Sequence, residues 1–202
     1  MKIKASSLIF SLLLCACAAS SPPPDKKLLL DYQGPLPAAA AATQRPQLVV
    51  RGVSVPDYLE RRGLAYRSAP NQLNFYSGVE WAERPAKGIT RWVALALAAA
   101  RNDYQVLAFT TGDHLPEVLL GINLESAEPG PDNILHLRGG YNYFVNATQA
   151  SGSGRFDADA PLSANTAEGS VAALQLALDT AVKKLAAELP SASAAASAAA
   201  KP

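Results

Sequence analysis

The chain of 202 residues carries 18 Lys and Arg against 17 Asp and Glu, with two histidines and two cysteines. A nucleic-acid-binding domain would be clearly basic, so that class is excluded. Hydrophobic residues make up 49%, but alanine inflates both ends, and what lies between them is one domain's worth of sequence.

The stretch LLLCACAASSPPP, Leu12 to Pro24, decides the compartment. It could close a membrane span, hold a reactive cysteine pair, or mark a processing site. Lys2 and Lys4 precede an apolar run, Leu8 to Leu14, broken only by Ser11. A helix needs about 20 apolar residues to cross a bilayer, so this run is too short to span. Its layout is that of a secretory signal. A CxC metal or redox pair would need further ligands, and the chain has no other cysteine. Leu14-Cys15-Ala16-Cys17 fits the bacterial lipobox, because small Ala16 precedes Cys17 whereas bulky Leu14 precedes Cys15.

Residues 1–16 are therefore expected to be a signal peptide, cut between Ala16 and Cys17. Cys17 would carry covalent diacylglycerol and acyl lipid such as palmitate, with no other cofactor and no metal. Each buried lipid methylene contributes about 0.8 kcal/mol, so two or three chains anchor firmly. Removing Lys2 and Lys4 turns the formal net charge from +1 to −1. The mature chain would keep a single, lipidated cysteine and no disulfide, which suits a periplasm-facing domain with its own core. Ala18, rather than Asp, after Cys17 favours the outer membrane.

Residues 17–44 contain Pro22-Pro23-Pro24, Pro35, Pro37 and the run Ala38 to Ala42. They read as a tether, within which Leu28-Leu29-Leu30-Asp31-Tyr32 suggests a short strand docked on the domain. The domain itself spans 45–189. Valine-rich Gln47 to Val55 reads as a strand stopped by Pro56, and Tyr58 to Arg62 as one helical turn. Leu64 to Arg67 and Gln72 to Tyr76 read as strands around the Pro70-Asn71 turn. Ile89, Trp92, Val93, Ala96, Leu97 and Ala100 form one stripe of a helix over 86–101. Tyr104 to Thr110 is a further strand. Val118, Leu120, Ile122 and Leu124 alternate with Leu119, Gly121, Asn123 and Glu125, and the same alternation runs from Leu135 to Val145. Joined through Pro129-Gly130-Pro131-Asp132-Asn133, the two predict an antiparallel hairpin. Tyr141 and Tyr143 share the face of Leu135 and Leu137 and read as core. A last helix over 166–189 carries the stripe Val171, Leu174, Leu178, Val182, Leu185 and Leu189, with Asn165 and Glu168 as a capping box. Residues 190–202 form an Ala/Ser-rich tail expected to be disordered. The fold class is α+β, a mixed, largely antiparallel sheet flanked by two main helices.

No catalytic constellation emerges. His114 sits in a Gly-Asp-His-Leu-Pro turn and His136 on the polar face of a strand. HExxH, CxxC, P-loop, GxGxxG and GxSxG patterns are lacking. Ser151-Gly152-Ser153-Gly154 reads as a flexible loop, and Asp157 and Asp159 as solvated loop acids. The domain reads as a binding or scaffolding module rather than an enzyme.

Two stretches are more specific: VRGVSVPDYLERRGLAYR, Val50 to Arg67, and NQLNFYSGVEWAERPAKGITRWVALAL, Asn71 to Leu97. A valine-rich strand, a P-x-Y-L-x-R step, and a strand running through Trp81-Ala82-Glu83 and a proline into a helix resemble the ABC-type transport auxiliary lipoproteins, the PqiC-like family. The resemblance covers about Leu29 to Leu189. It implies an anticodon-binding-domain-like three-layer architecture. It also implies a non-catalytic subunit that docks an MCE-domain protein, with its ABC permease and ATPase, to the membrane bearing the lipid anchor, in transport of lipid or another apolar solute. Ring-like homo-oligomers are compatible with ring-forming partners. Trp81, Glu83 and Arg91 are the candidate partner-facing residues. Trp81 and Glu83 have an equally concrete structural reading, as a plug at the helix base and as a carboxylate near the helix N-terminus. A stand-alone lipid carrier and an envelope or cell-wall assembly scaffold are the competing functions; the carrier would need an apolar cavity of several hundred Å³.

Overall fold

The computed structural model describes residues 26–35, 45–109 and 115–197. The leader with Ala16 and Cys17, the alanine run of the tether, His114 and residues 198–202 lie outside the described residues. In chain order the elements are β1 (Lys26–Leu28), β2 (Gln47–Ser54), β3 (Gly63–Ala69), β4 (Gln72–Trp81), α1 (Pro85–Ala100), β5 (Gln105–Ala108), β6 (Val118–Pro129), β7 (Ile134–Val145), β8 (Ala150–Pro161), α2 (Ala167–Glu188) and α3 (Ala192–Ser197). The strands form not one sheet but two, a three-stranded sheet ordered β1-β4-β3 and a five-stranded sheet ordered β5-β2-β6-β7-β8. In the larger sheet β2 is parallel to both β5 and β6, and β6, β7 and β8 form an antiparallel meander.

Strict alternation decides which face of the larger sheet is buried. Leu48 and Val50 on β2, Leu120 and Leu124 on β6, Leu135 and Leu137 on β7, and Phe156 on β8 all enter one core. The apolar stripes of α1 and α2 close that core from the same side: Ile89, Trp92, Leu97, Leu174, Leu178 and Leu185 are buried in it. The two main interior cavities are small, about 10 Å³ under α1 and α2 and about 20 Å³ beside Leu64 and Trp81. Each has room for at most one water.

The longest departure from the sequence reading is β8. Ser151 to Gly154 and the two aspartates belong to a 12-residue strand, not to a loop. Glycine and aspartate are poor strand formers in isolation, so the register supplies the reason. Tyr141 pairs with Gly154 and Tyr143 with Gly152, and each ring lies over the glycine opposite. A Cβ added at Gly154 would stand 2.5 Å from the Tyr141 hydroxyl oxygen. Further along β8, Phe156, Ala158 and Ala160 alternate inward and Arg155, Asp157 and Asp159 outward.

The helix boundaries follow local chemistry. Pro85 stands in the first turn of α1, where its missing N–H costs no hydrogen bond. α2 is capped by Thr166, whose Oγ1 accepts the Gly169 N–H at 3.1 Å, so the cap sits one residue beyond the expected Asn165. Asn165 accepts instead from the Tyr76 hydroxyl at 3.5 Å. The expected turn at Tyr58 to Arg62 is shorter, over 57–59, and its Tyr58 has a specific partner. Glu128, 2% exposed, accepts from the Tyr58 hydroxyl at 2.9 Å, from Arg67 Nε at 2.5 Å and from the Ala127 N–H at 2.9 Å. A buried carboxylate is tolerated only when so satisfied, and the pair joins β3 of the small sheet to β6 of the large one. Burial, then the Glu128 charge, push the Tyr58 hydroxyl up to about 12.

A second junction gathers the far end of the helices. The Arg101 guanidinium donates to the carbonyls of Ala186 at 3.0 Å, Leu189 at 3.2 Å and Pro190 at 2.6 Å. Ala186 is among the carbonyls that the C-terminus of α2 leaves unpaired, and Leu189 and Pro190 follow directly after the helix. Asp103 holds Arg101 through two bonds of 2.8 Å and accepts the Ala192 N–H at 2.9 Å. Ala192 and Ala195 are buried, so 192–197 form a short packed helix where the sequence suggested a disordered tail.

Two outcomes follow from these contacts. Gly154→Ala should lower stability by about 1–3 kcal/mol through overpacking. The loss should shrink in combination with Tyr141→Ala, as a double-mutant cycle by urea unfolding would show. The Arg101 hydrogen bond, opposed by burial and helped by Ala192, lowers the Asp103 carboxyl from 3.8 to about 2. A depressed folded-state pKa gives stability that is present above the unfolded value and lost as pH falls through the folded one. Asp103→Asn should therefore lower the melting temperature at neutral pH, and the difference from wild type should close between about pH 4 and pH 2.

Candidate partner-docking face

The three residues singled out from sequence converge at the β4–α1 junction. The Trp81 backbone N–H donates to the Arg62 carbonyl at 2.7 Å, and the half-buried indole packs on the core beside Leu59 and Leu64. Glu83 and Arg91 form a two-bond ion pair, with Arg91 Nη1 donating to Glu83 Oε2 at 2.8 Å and Nη2 to Oε1. Gly88 makes room for it, since a Cβ there would lie 3.1 Å from Glu83 Oε1. The Arg91 hydrogen bond, against the effect of burial, holds the Glu83 carboxyl below its ordinary range.

Arg91 Nη2 also donates to the Leu30 carbonyl at 3.3 Å. Leu30 is 3% exposed, the Tyr32 ring meets Trp92 edge-on at 5.5 Å, and Gln175 donates to the Asp31 carbonyl at 2.8 Å. β1 adds to β4, with Leu28 opposite Trp81. Glu83 and Arg91 thus bind each other and clamp residues 26–32 against α1 and α2, with the Arg91 side chain still 41% exposed. The strand expected at Leu28 to Tyr32 is present, shifted toward Lys26.

The opposite face of the five-stranded sheet carries no helix among the described residues, and it is ordered in rows. The first row, Leu107, Val49, Leu119 and Phe144, is apolar. The second runs Gly52, Gly121, Asn142, Ser153, and the third Ser54, Asn123, Gly140, Arg155. Beyond them Arg138 stands opposite Asp157 and His136 opposite Asp159. The glycines leave a shallow trough of about 610 Å³ over the second and third rows, and a neighbouring one of about 540 Å³ reaches Leu119 and Phe144. Arg51 borders both.

Arg51 reaches this face through a β-bulge. The β2–β6 register breaks between Val50 and Gly52, and Gly52 has φ +142°. A bulge re-aims a side chain. β5 ends at Ala108, so beyond Val50 that flank of β2 has no ladder partner among the described residues; the buried Thr90 hydroxyl of α1 accepts the Val53 N–H at 2.9 Å. The sequence marks the polar face of β6 and β7, with His136 on it, but not Arg51. The signal was a glycine inside a valine-rich strand, which marks a bulge.

Most charges on the face are matched. Arg155 donates to both Glu125 oxygens at 2.8 and 2.6 Å, Arg138 pairs with Asp157 and Asp159, and Ser54 donates to Asn123 at 2.7 Å. His136 bridges Asp159 at 2.9 Å and Asp132 at 3.1 Å. Burial opposes its protonation, but the two carboxylates outweigh that and raise its pKa. Among the described residues no group of three or more His, Cys, Asp or Glu could hold a metal ion, and no helix is long and apolar enough to cross a membrane.

Comparison with solved structures gives the same fold twice. An uncharacterized protein superposes with a TM-score of 0.68 at 16% identity, covering 82% of this chain and 98% of its own. A Xanthomonas campestris protein of the DUF330 family gives 0.57 at 19% identity, covering 80% and 90%. A comparison with curated proteins finds no match. The model of one family matches residues 29–186, from the clamped N-terminal segment almost to the end of α2. The chain belongs to the family of ABC-type transport auxiliary lipoprotein components.

Proposed function

We propose that the protein is a lipid-anchored, non-catalytic subunit that docks an MCE-domain assembly, with its ABC permease and ATPase, to the envelope membrane for transport of lipid or another apolar solute. The observation that carries this reading is the family match over nearly the whole folded region. The lipobox supports it: cleavage after Ala16 and lipid on Cys17 would set the domain on the periplasmic side, with Ala18 favouring the outer membrane. The clamp on residues 26–32 fits a chain pulled from its N-terminus, because Lys26 lies nine residues after Cys17. At no more than about 3.5 Å per residue, that stretch allows at most about 30 Å between lipid and domain.

The packing disfavours the stand-alone carrier. A phospholipid chain needs an enclosed apolar space of several hundred Å³, and the interior cavities lined by core residues hold about 10 and 20 Å³. The larger troughs are open, mixed in polarity and on the sheet surface.

The test is a crosslinking pull-down of the full-length lipoprotein from membranes, beside a Cys17→Ala control. Recovery of an MCE protein with its ABC partners, and loss of both recovery and palmitate labelling in the control, is the expected result. Recovery of cell-wall enzymes alone would move the protein to the scaffold role.

A further inference from the structure

We infer that the uncovered face of the five-stranded sheet is the docking surface for an extended, acidic and apolar segment of a partner polypeptide, with Arg51 taking the partner's carboxylate. This rests on the subunit role proposed above but not on the partner's being an MCE protein.

The argument starts from what is unsatisfied. On the third row and beyond, Ser54, Asn123, Glu125, His136, Arg138 and Arg155 are bonded to neighbours on the face. On the second row the polar groups are not. Arg51, Asn142 and Ser153 are exposed, and among the described residues none has a side-chain hydrogen bond or ion pair. They lie on β2, β7 and β8, with only the glycine Gly121 between them on β6. Strands are spaced by about 4.8 Å, so the row from β2 to β8 is about 14 Å long, the length of about four residues of extended chain. A guanidinium, a carboxamide and a hydroxyl in a line suit a carboxylate followed by peptide N–H and C=O groups. Among the described residues no acidic side chain opposes Arg51, since Glu125, the acid that lines the same trough, is held by both Nη atoms of Arg155.

The adjoining row fixes the rest of the partner's character. Leu107, Leu119 and Phe144 are half-buried, Val49 between them is 1% exposed, and Phe109 beside them is 38% exposed. An apolar row one side-chain repeat from a donor row matches a chain with apolar and acidic residues on one face. The trough is too shallow to enclose an acyl chain, which favours a polypeptide over lipid. Position agrees: the segment leading from the membrane is clamped to α1 and α2, on the other side of the sheet. The segment nearest the proposed anchor therefore leaves the uncovered face free for a partner.

The test places a photoreactive benzoylphenylalanine at Asn142 or Ser153 in the full-length lipoprotein in cells. Leu176, 58% exposed on α2, is the control position. The expected result is a polypeptide adduct from Asn142 and Ser153 but not from Leu176, mapped by peptide mass to an acid-containing segment. Arg51→Glu should cut its yield about tenfold, the scale of a lost charge-assisted bond, Arg51→Lys should restore part of it, and neither should change the melting temperature. Phospholipid adducts from Asn142, polypeptide adducts from Leu176 alone, or an adduct indifferent to Arg51→Glu would each overturn the inference. An adduct from Asn142 to a second copy of this chain would also overturn it, whereas an adduct to a different polypeptide that is not an MCE protein would keep it and sink the MCE reading instead.

Discussion

Apolar side chains on β2, β6, β7 and β8 point to one side of the large sheet, and both long helices are spent covering that side. A sheet half covered by helices can keep a polar second face at no cost in buried polar groups, because water satisfies it. That asymmetry sets the rest of the structure. It places Tyr141 and Tyr143 inward over Gly154 and Gly152, and sends Arg155, Asp157 and Asp159 outward. It lets the second face run from apolar to donor-rich to charge-paired rows without disturbing the core.

The junctions between elements are made by a few satisfied charges. Glu128 with Arg67 and Tyr58 joins the two sheets, Glu83 with Arg91 seats the N-terminal segment, and Arg101 with Asp103 closes the far end of α2. Each arginine is also bonded to a backbone carbonyl. The guanidinium's five donors suit it to such double duty, which lysine could not perform in the same geometry. The sequence motif that carries the family resemblance is thereby explained as architecture: the P-x-Y-L-x-R step supplies Tyr58, and the Trp-x-Glu with the following helix supplies the clamp.

Much of the fold was legible because its signals are periodic. The helix stripes at Ile89 to Ala100 and Val171 to Leu189 and the hairpin of β6 and β7 follow directly from spacing. β8 was not, because Ser-Gly-Ser-Gly looks like a loop until the tyrosines opposite are known, and that is a cross-strand fact invisible along the chain. The packed helix at 192–197 was missed for the same reason: alanine and serine alone do not announce that Asp103, 89 residues earlier, receives the Ala192 N–H. The residues picked from sequence as partner-facing are bound into the clamp. Arg51 went unnoticed because an arginine in a strand reads as an ordinary solvated side chain until its neighbours are found to be paired with one another.

If the uncovered face is the working surface, occupancy should be readable on its apolar row. The direct measurement is hydroxyl-radical footprinting of the lipoprotein in native membranes, with and without its transport partners. The account predicts that Leu119 and Phe144 lose reactivity when the partners are present while Leu176 on α2 does not. Protection of Leu176 with Leu119 and Phe144 unchanged would contradict it and put the contact on the helix side.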